Sequence, residues 1–176
     1  PQEFSTEESS TERDWRVPNM RGKVARDLTE ADVRDIAVRY LSRREYGIEE
    51  LKRKLVQRGV ENDLAEQVVA DFAEQNLVSD ERFTEMYVRM RIRRLFGPLK
   101  IRGELRQRGI ADHVIAGAMQ VDEETWFDAA ASWAAKRVRG ELDFTDRAKL
   151  HRRLMNRGFN HGQASAALDR LNQPES

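Results

Sequence analysis

Leu51-Lys-Arg-Lys-Leu55-Val-Gln-Arg58-Gly59-Val60 reads as the end of a helix running into a tight turn. Two apolar residues four apart mark one helical face. A glycine four positions after the second can adopt the left-handed conformation that closes a helix, and the apolar residue behind it tucks under the turn. Sliding the chain against itself finds the same pattern twice more, as Ile101-Arg-Gly-Glu-Leu105-Arg-Gln-Arg108-Gly109-Ile110 and Leu150-His-Arg-Arg-Leu154-Met-Asn-Arg157-Gly158-Phe159. Gly59, Gly109 and Gly158 fall 50 and 49 positions apart, a period typical of repeat architectures. The basic residue before each glycine recurs as well.

Outward from each turn the surroundings also match. Three positions past the glycines stand Asn62, Asp112 and His161, where a following helix needs an N-cap. Val68 and Val69, Ala118 and Met119, and Ala167 and Leu168 then fall in register as the apolar face of that helix. Four positions before the first apolar residue stand Gly47, Gly97 and Asp146, where the chain turns out of a preceding helix, with Pro98 suited to a first helical position. The opening helices carry Ile36, Ala37, Tyr40 and Leu41; then Phe83, Met86, Tyr87 and Met90; then Trp126, Ala129, Ala130 and Trp133. Thr29 and Asp32 form a capping-box pattern ahead of the first. Period-two alternation and hairpin dipeptides are missing, so no strand is expected.

The expected fold is therefore all-α: three tandem three-helix repeats, 29–78, 79–122 and 123–173, stacked as an elongated, curved solenoid-like array. Residues 1–28, polar and rich in Ser and Thr, are expected to form a flexible acidic tail. Such an array suits wrapping a large partner better than enclosing a small substrate.

Composition narrows the function. No apolar run approaches the roughly 18 residues of a spanning helix, so a membrane partner is not expected. Cysteine is absent, which removes thiolate chemistry and Cys-based metal sites and fits a cytoplasmic setting. Lys plus Arg equals Asp plus Glu at 31 each, yet the charges are segregated. Residues 61–81 hold seven acids and no base, whereas residues 82–108 hold nine bases against Glu85 and Glu104, a local excess of +7. Any single arginine reads as part of a solvated face, but the row as a whole exceeds what solubility requires. Guanidinium groups four apart, such as Arg89 with Arg93 or Arg102 with Arg106, can present two charges on one side to phosphates or carboxylates.

No active site emerges. His113, His151 and His161 lack the spacing of a metal site and read as helix-surface residues. Trp126 and Trp133, and Met86 with Met90, read as core. Phosphate-cradling loops, dinucleotide fingerprints and nucleophile elbows are missing from the sequence, so neither enzymatic activity nor a cofactor is expected.

The chain resembles the RecX family of regulatory proteins. Tyr40-Leu-Ser-Arg-Arg-Glu-Tyr-Gly-Ile-Glu-Glu-Leu51 with Lys54-Leu55 and Arg58-Gly59-Val60 is similar to the family's first repeat. Leu77-Val-Ser-Asp80-Glu-Arg-Phe83 with Gly97-Pro98, Lys100-Ile101, Glu104-Leu105 and Arg108-Gly109-Ile110 is a closer match to the second. Lys149-Leu150, Leu154 and Arg157-Gly158-Phe159 resemble the third, so coverage runs from about 33 to 171. Gly47 stands where a serine is usual and Thr84 where an alanine is usual. The resemblance implies a partner of the RecA recombinase filament on single-stranded DNA, limiting filament growth, ATP hydrolysis and strand exchange; on charge, direct DNA contact is expected to be weak and salt-sensitive, and the chain is expected to be a monomer.

On charge placement, the residues expected to meet the partner are Arg89, Arg93, Arg94, Lys100, Arg102, Arg106 and Arg108, with Arg43, Arg44, Lys52, Arg152 and Arg153 extending the surface. The residues alone leave two other readings open: a helical-repeat module for an acidic protein, and a non-specific nucleic-acid-binding protein.

Overall fold

The computed structural model describes residues 28–140 and 142–171; of the leading acidic segment, only Leu28 is among them. The described residues form nine α-helices and no strand. A first unit comprises α1 (Glu30–Leu41), α2 (Ile48–Gln57) and α3 (Asn62–Glu74). A second comprises α4 (Asp80–Arg93), α5 (Pro98–Gln107) and α6 (Asp112–Ala118). A third comprises α7 (Glu123–Ala135), α8 (Phe144–Asn156) and α9 (His161–Leu171).

The repeated decapeptide is the same helix stop built three times. Gly59, Gly109 and Gly158 have φ of 90°, 83° and 98°, the left-handed region where a Cβ is costly. In the first unit, Gly59 N–H donates to the Val56 carbonyl at 2.9 Å and Val60 N–H to the Leu55 carbonyl at 3.1 Å. The same pair of bonds follows Leu105 and Leu154. These are Schellman closures, in which the apolar residue past the glycine packs on the one five positions back. Val60, Ile110 and Phe159 are accordingly buried with Leu55, Leu105 and Leu154.

Helix starts follow the expected chemistry with a shift. Thr29 and Asp32 form the reciprocal capping box at α1. Asn62, Asp112 and His161 are the first helical residues rather than caps, which are Glu61, Ala111 and Asn160. The Glu61 carboxylate reaches the Asp63 and Leu64 amides and the Asn160 side chain accepts from Gln163 N–H, while Ala111 offers only backbone. Gly47 and Gly97 do cap α2 and α5, but Asp146 lies inside α8, whose cap is Asp143 accepting from Asp146 N–H at 2.7 Å.

Three apolar clusters follow the units with two crossings. The first spans Val33 to Val78 and takes no buried residue from the other units. The second contains Trp126 of α7, and the third is joined by Leu95 from the α4–α5 loop. Trp126 and Trp133 are both buried, and Met86 and Met90 pack against the second cluster.

The two junctions between units use the same positions and different chemistry. Gly47 and Gly97 have no side chain to cap their helices, and the next unit supplies the missing acceptor. At α2 the Asp80 carboxylate accepts Ile48 N–H at 2.8 Å. At α5 the Gly158 carbonyl accepts Leu99 N–H at 2.9 Å, and Gly97 N–H donates to the Arg157 carbonyl at 3.0 Å. A Cβ on Gly97 would overlap the backbone of Gly158 and Phe159, so only glycine admits this approach. A Cβ on Gly47 would meet the Asp80 carboxylate oxygen and the Ile110 methyl at 3.3 Å, which a shift of a few tenths of an ångström relieves.

Candidate partner interface

The cations expected to meet a partner separate into two groups. In the first junction, Glu50 holds two of them. Its carboxylate accepts from both terminal nitrogens of Arg44, at 2.9 and 3.2 Å, and from Arg108 of the second unit at 3.3 Å. Arg44 also lies over the Tyr46 ring, 3.6 Å from its centroid, and Arg108 over Tyr87 at 5.0 Å. Burial by itself would raise the Glu50 pKa, but the Arg44 and Arg108 charges outweigh it and hold the carboxyl below its ordinary value. Lys52 pairs with Glu66 at 2.8 Å and Arg106 with Asp112 at 2.8 Å. These four side chains hold the fold or its surface pairs together. The Arg102 and Arg106 pair therefore presents one uncommitted charge rather than two.

The second group is different. Arg89, Arg93, Arg94, Lys100, Arg102, Arg152 and Arg153 are exposed and have no carboxylate partner among the described residues. Arg89 and Arg93 lie one turn apart on α4, so they share a face. Lys100 reaches over Phe96 at 5.4 Å and Arg153 over Trp133 at 5.7 Å. Arg43 is exposed at the end of α1.

Several residues outside the expected set organise the surface. Glu104, one of the two acids in the basic row, accepts from the Tyr87 hydroxyl at 2.8 Å and pairs with Arg91. Arg91 stacks on Phe96, 3.6 Å from the ring centroid, and Arg157 stacks on the same ring at 3.8 Å. Arg157 also donates to the Leu95 and Arg94 carbonyls, each at 2.6 Å. Burial, and then the neighbouring Arg137 and Arg91 charges, lower its pKa. The recurring basic residue before the glycine was the sequence signal for Arg108 and Arg157: both reach across a junction. Its bonding partners, 58 and 62 positions away, left no local trace.

Among the histidines, the rings of His151 and His161 meet edge to face at 4.9 Å, with His151 Nε2 3.4 Å from the Ser165 hydroxyl. Among the described residues no His, Cys, Asp or Glu cluster is arranged to hold a metal, and no helix is long and apolar enough to cross a membrane.

Comparison with known proteins places this architecture. Family models for the first and second three-helix domains of RecX match residues 34–72 and 79–119. Regulatory protein RecX of Chromohalobacter salexigens is 39% identical over 140 residues, spanning 79% of this chain and 92% of that protein. The chain belongs to the RecX family. RecX of Halorhodospira halophila is 38% identical over 137 residues, covering 77% of this chain and 85% of its own. A crystal structure of a regulatory protein RecX superposes with a TM-score of 0.72 at 26% identity, covering 80% of this chain and 73% of that one. RecX from Lactobacillus salivarius gives a TM-score of 0.71 over 81% of this chain and 96% of that one at 20% identity, a likeness of fold. RecX relatives thus share the helical-repeat fold and carry the name of regulatory proteins.

Proposed function

We propose that this protein is a monomeric, cytoplasmic, non-enzymatic regulator that binds the RecA filament on single-stranded DNA and restrains its growth, ATP hydrolysis and strand exchange. The observation that carries the reading is the uncommitted cationic set of the second unit on a RecX-family chain. Of the nine bases in 82–108, Arg82, Arg91, Arg106 and Arg108 sit in ion pairs. Arg89, Arg93, Arg94, Lys100 and Arg102 stay available for phosphates or for acidic protein loops. In this reading the units 29–78, 79–122 and 123–173 form an elongated, curved array whose hollow receives the filament. Contacts of this kind are dominated by phosphate, lose affinity steeply with salt and carry little sequence preference.

The test is a titration of the protein into RecA on single-stranded DNA with ATP turnover followed continuously. Turnover falling at substoichiometric ratios is the expected result. Unchanged turnover at every ratio would instead favour a helical-repeat module for another acidic partner.

A further inference from the structure

We infer that the third unit carries a phosphate-binding pocket between the C-terminal end of α7 and the flank of α8, built from Arg137, Arg139, Lys149 and Arg153. The inference goes beyond the filament reading, because of its four cations only Arg153 belongs to the surface expected to meet the filament.

The pocket is a cavity of 330 Å³, at the lower end of small-ligand clefts, which run from about 300 to 1,000 Å³. Four of its eight lining residues are cationic and one, Asp146, is acidic. That carboxylate pairs with Lys149 at 3.6 Å, and among the described residues none of Arg137, Arg139 and Arg153 is in an ion pair. Val138 and Leu150 supply an apolar wall, which lowers the local dielectric and strengthens the attraction of an incoming anion.

All three arginines are exposed, and Arg137 is anchored at one end. Arg137 lies over the Trp133 ring at 3.9 Å and donates to the Trp133 carbonyl at 2.9 Å, engaging one nitrogen of its fork with the end of α7. Arg153 lies over the same ring at 5.7 Å, and Arg157 at 5.6 Å. Three guanidiniums surround one indole, and among the described residues none of them is paired with a carboxylate, so they repel one another. Residues that serve only solubility turn away from such crowding, whereas an oxyanion with several acceptor oxygens relieves it and fits guanidinium geometry. The shared chemistry is a phosphate group, from either a nucleic-acid strand or a free polyphosphate.

The experiment is NMR of the full chain, following the Trp133 indole N–H and the Arg137 and Arg153 side-chain Nε–H signals. Inorganic pyrophosphate and a thymidine 12-mer are titrated in separate arms. The expected result is saturable movement of these three signals, with affinity reduced at least tenfold in Arg139→Glu/Lys149→Glu, two exposed side chains whose exchange leaves the core intact. An Arg89→Glu/Arg93→Glu chain should keep the movement, which separates this pocket from the cationic face of the second unit. Movement with the 12-mer assigns the pocket to a strand, and movement with pyrophosphate alone assigns it to free polyphosphate. Absence of movement in both arms, or equal movement in Arg139→Glu/Lys149→Glu, overturns the inference.

Discussion

The first junction is held by side-chain charge and the second by backbone, although both are built at equivalent positions of the repeat. Glu50 and Lys100 occupy the same place in α2 and α5. In the first junction Glu50 receives Arg108. In the second, the equivalent residue is a lysine, and Arg157 turns to the Leu95 and Arg94 carbonyls and to the Phe96 ring. Leu95 presents its carbonyl from a left-handed backbone, φ 59°, a conformation costing a non-glycine residue roughly 1–2 kcal/mol, while its side chain packs into the third cluster. The Gly97 approach adds two main-chain bonds that no charge change disturbs. A repeat thus fixes where units meet, and the residues at that place set how firmly.

The largest expected effect comes from breaking the backbone-built junction. Gly97→Ala forces a Cβ into main chain that cannot move without opening α5 from the Gly158 turn. Loss of two hydrogen bonds and of close packing should cost about 3 kcal/mol or more, seen as a large drop in the urea midpoint. A midpoint within error of the parent chain would show that the approach is not needed. The same substitution at Gly47 is the sharpest contrast: Gly47→Ser should change stability by less than about 1 kcal/mol, because only the Asp80 oxygen and the Ile110 methyl must give.

An intermediate effect is expected at the ionic junction. Glu50→Gln leaves Arg44 and Arg108 facing a neutral amide; since both arginines are over a third exposed, the cost should be about 1–2 kcal/mol at neutral pH. The sign of its pH dependence follows from the lowered Glu50 pKa. The folded state holds this carboxylate ionised better than the unfolded state does, so its contribution is full above the ordinary carboxylate pKa and is lost as pH falls through the lowered value. The gap between the parent chain and Glu50→Gln in urea melts should therefore close in acid. A gap constant with pH would contradict the assignment.

A smaller effect of opposite sign is expected at Thr84. It is fully buried in α4, and its hydroxyl has no hydrogen-bond partner. Thr84→Val keeps the shape and removes the orphan hydroxyl, so stability should rise by about 1 kcal/mol, a gain of roughly 2–4 °C in Tm for a chain of this size. A fall in Tm would mean that the hydroxyl is satisfied in solution.

The fold was legible in the sequence because helix stops are local. Leu55, Gly59 and Val60 contain the whole Schellman closure, and its repetition around Gly109 and Gly158 exposed the array. Thr29 and Asp32 likewise announced α1. The starts of α3 and α6 left no such mark, since their caps are a glutamate, Glu61, and a backbone-only Ala111, whereas Asn160, a preferred cap type, does stand directly before His161. Asp146 matches Gly47 and Gly97 in the repeat, yet it lies inside α8, which Asp143 caps. The candidate surface was only half legible. Charge counting located the basic row, but whether an arginine is free depends on residues far along the chain, as Arg108 depends on Glu50. Arg137, Arg139 and Lys149 escaped notice because the pocket joins the end of one helix to the flank of the next.

The division of the arginines into uncommitted and structural sets is best tested with two charge-reversal chains in the RecA ATP-turnover titration. Arg89→Glu/Arg93→Glu/Arg102→Glu should keep the parent urea midpoint within about 0.5 kcal/mol, as surface changes do, and raise the concentration for half-inhibition at least tenfold. Arg108→Glu should lower the midpoint by placing a second carboxylate beside Glu50. Inhibition unchanged in the triple variant would contradict the account.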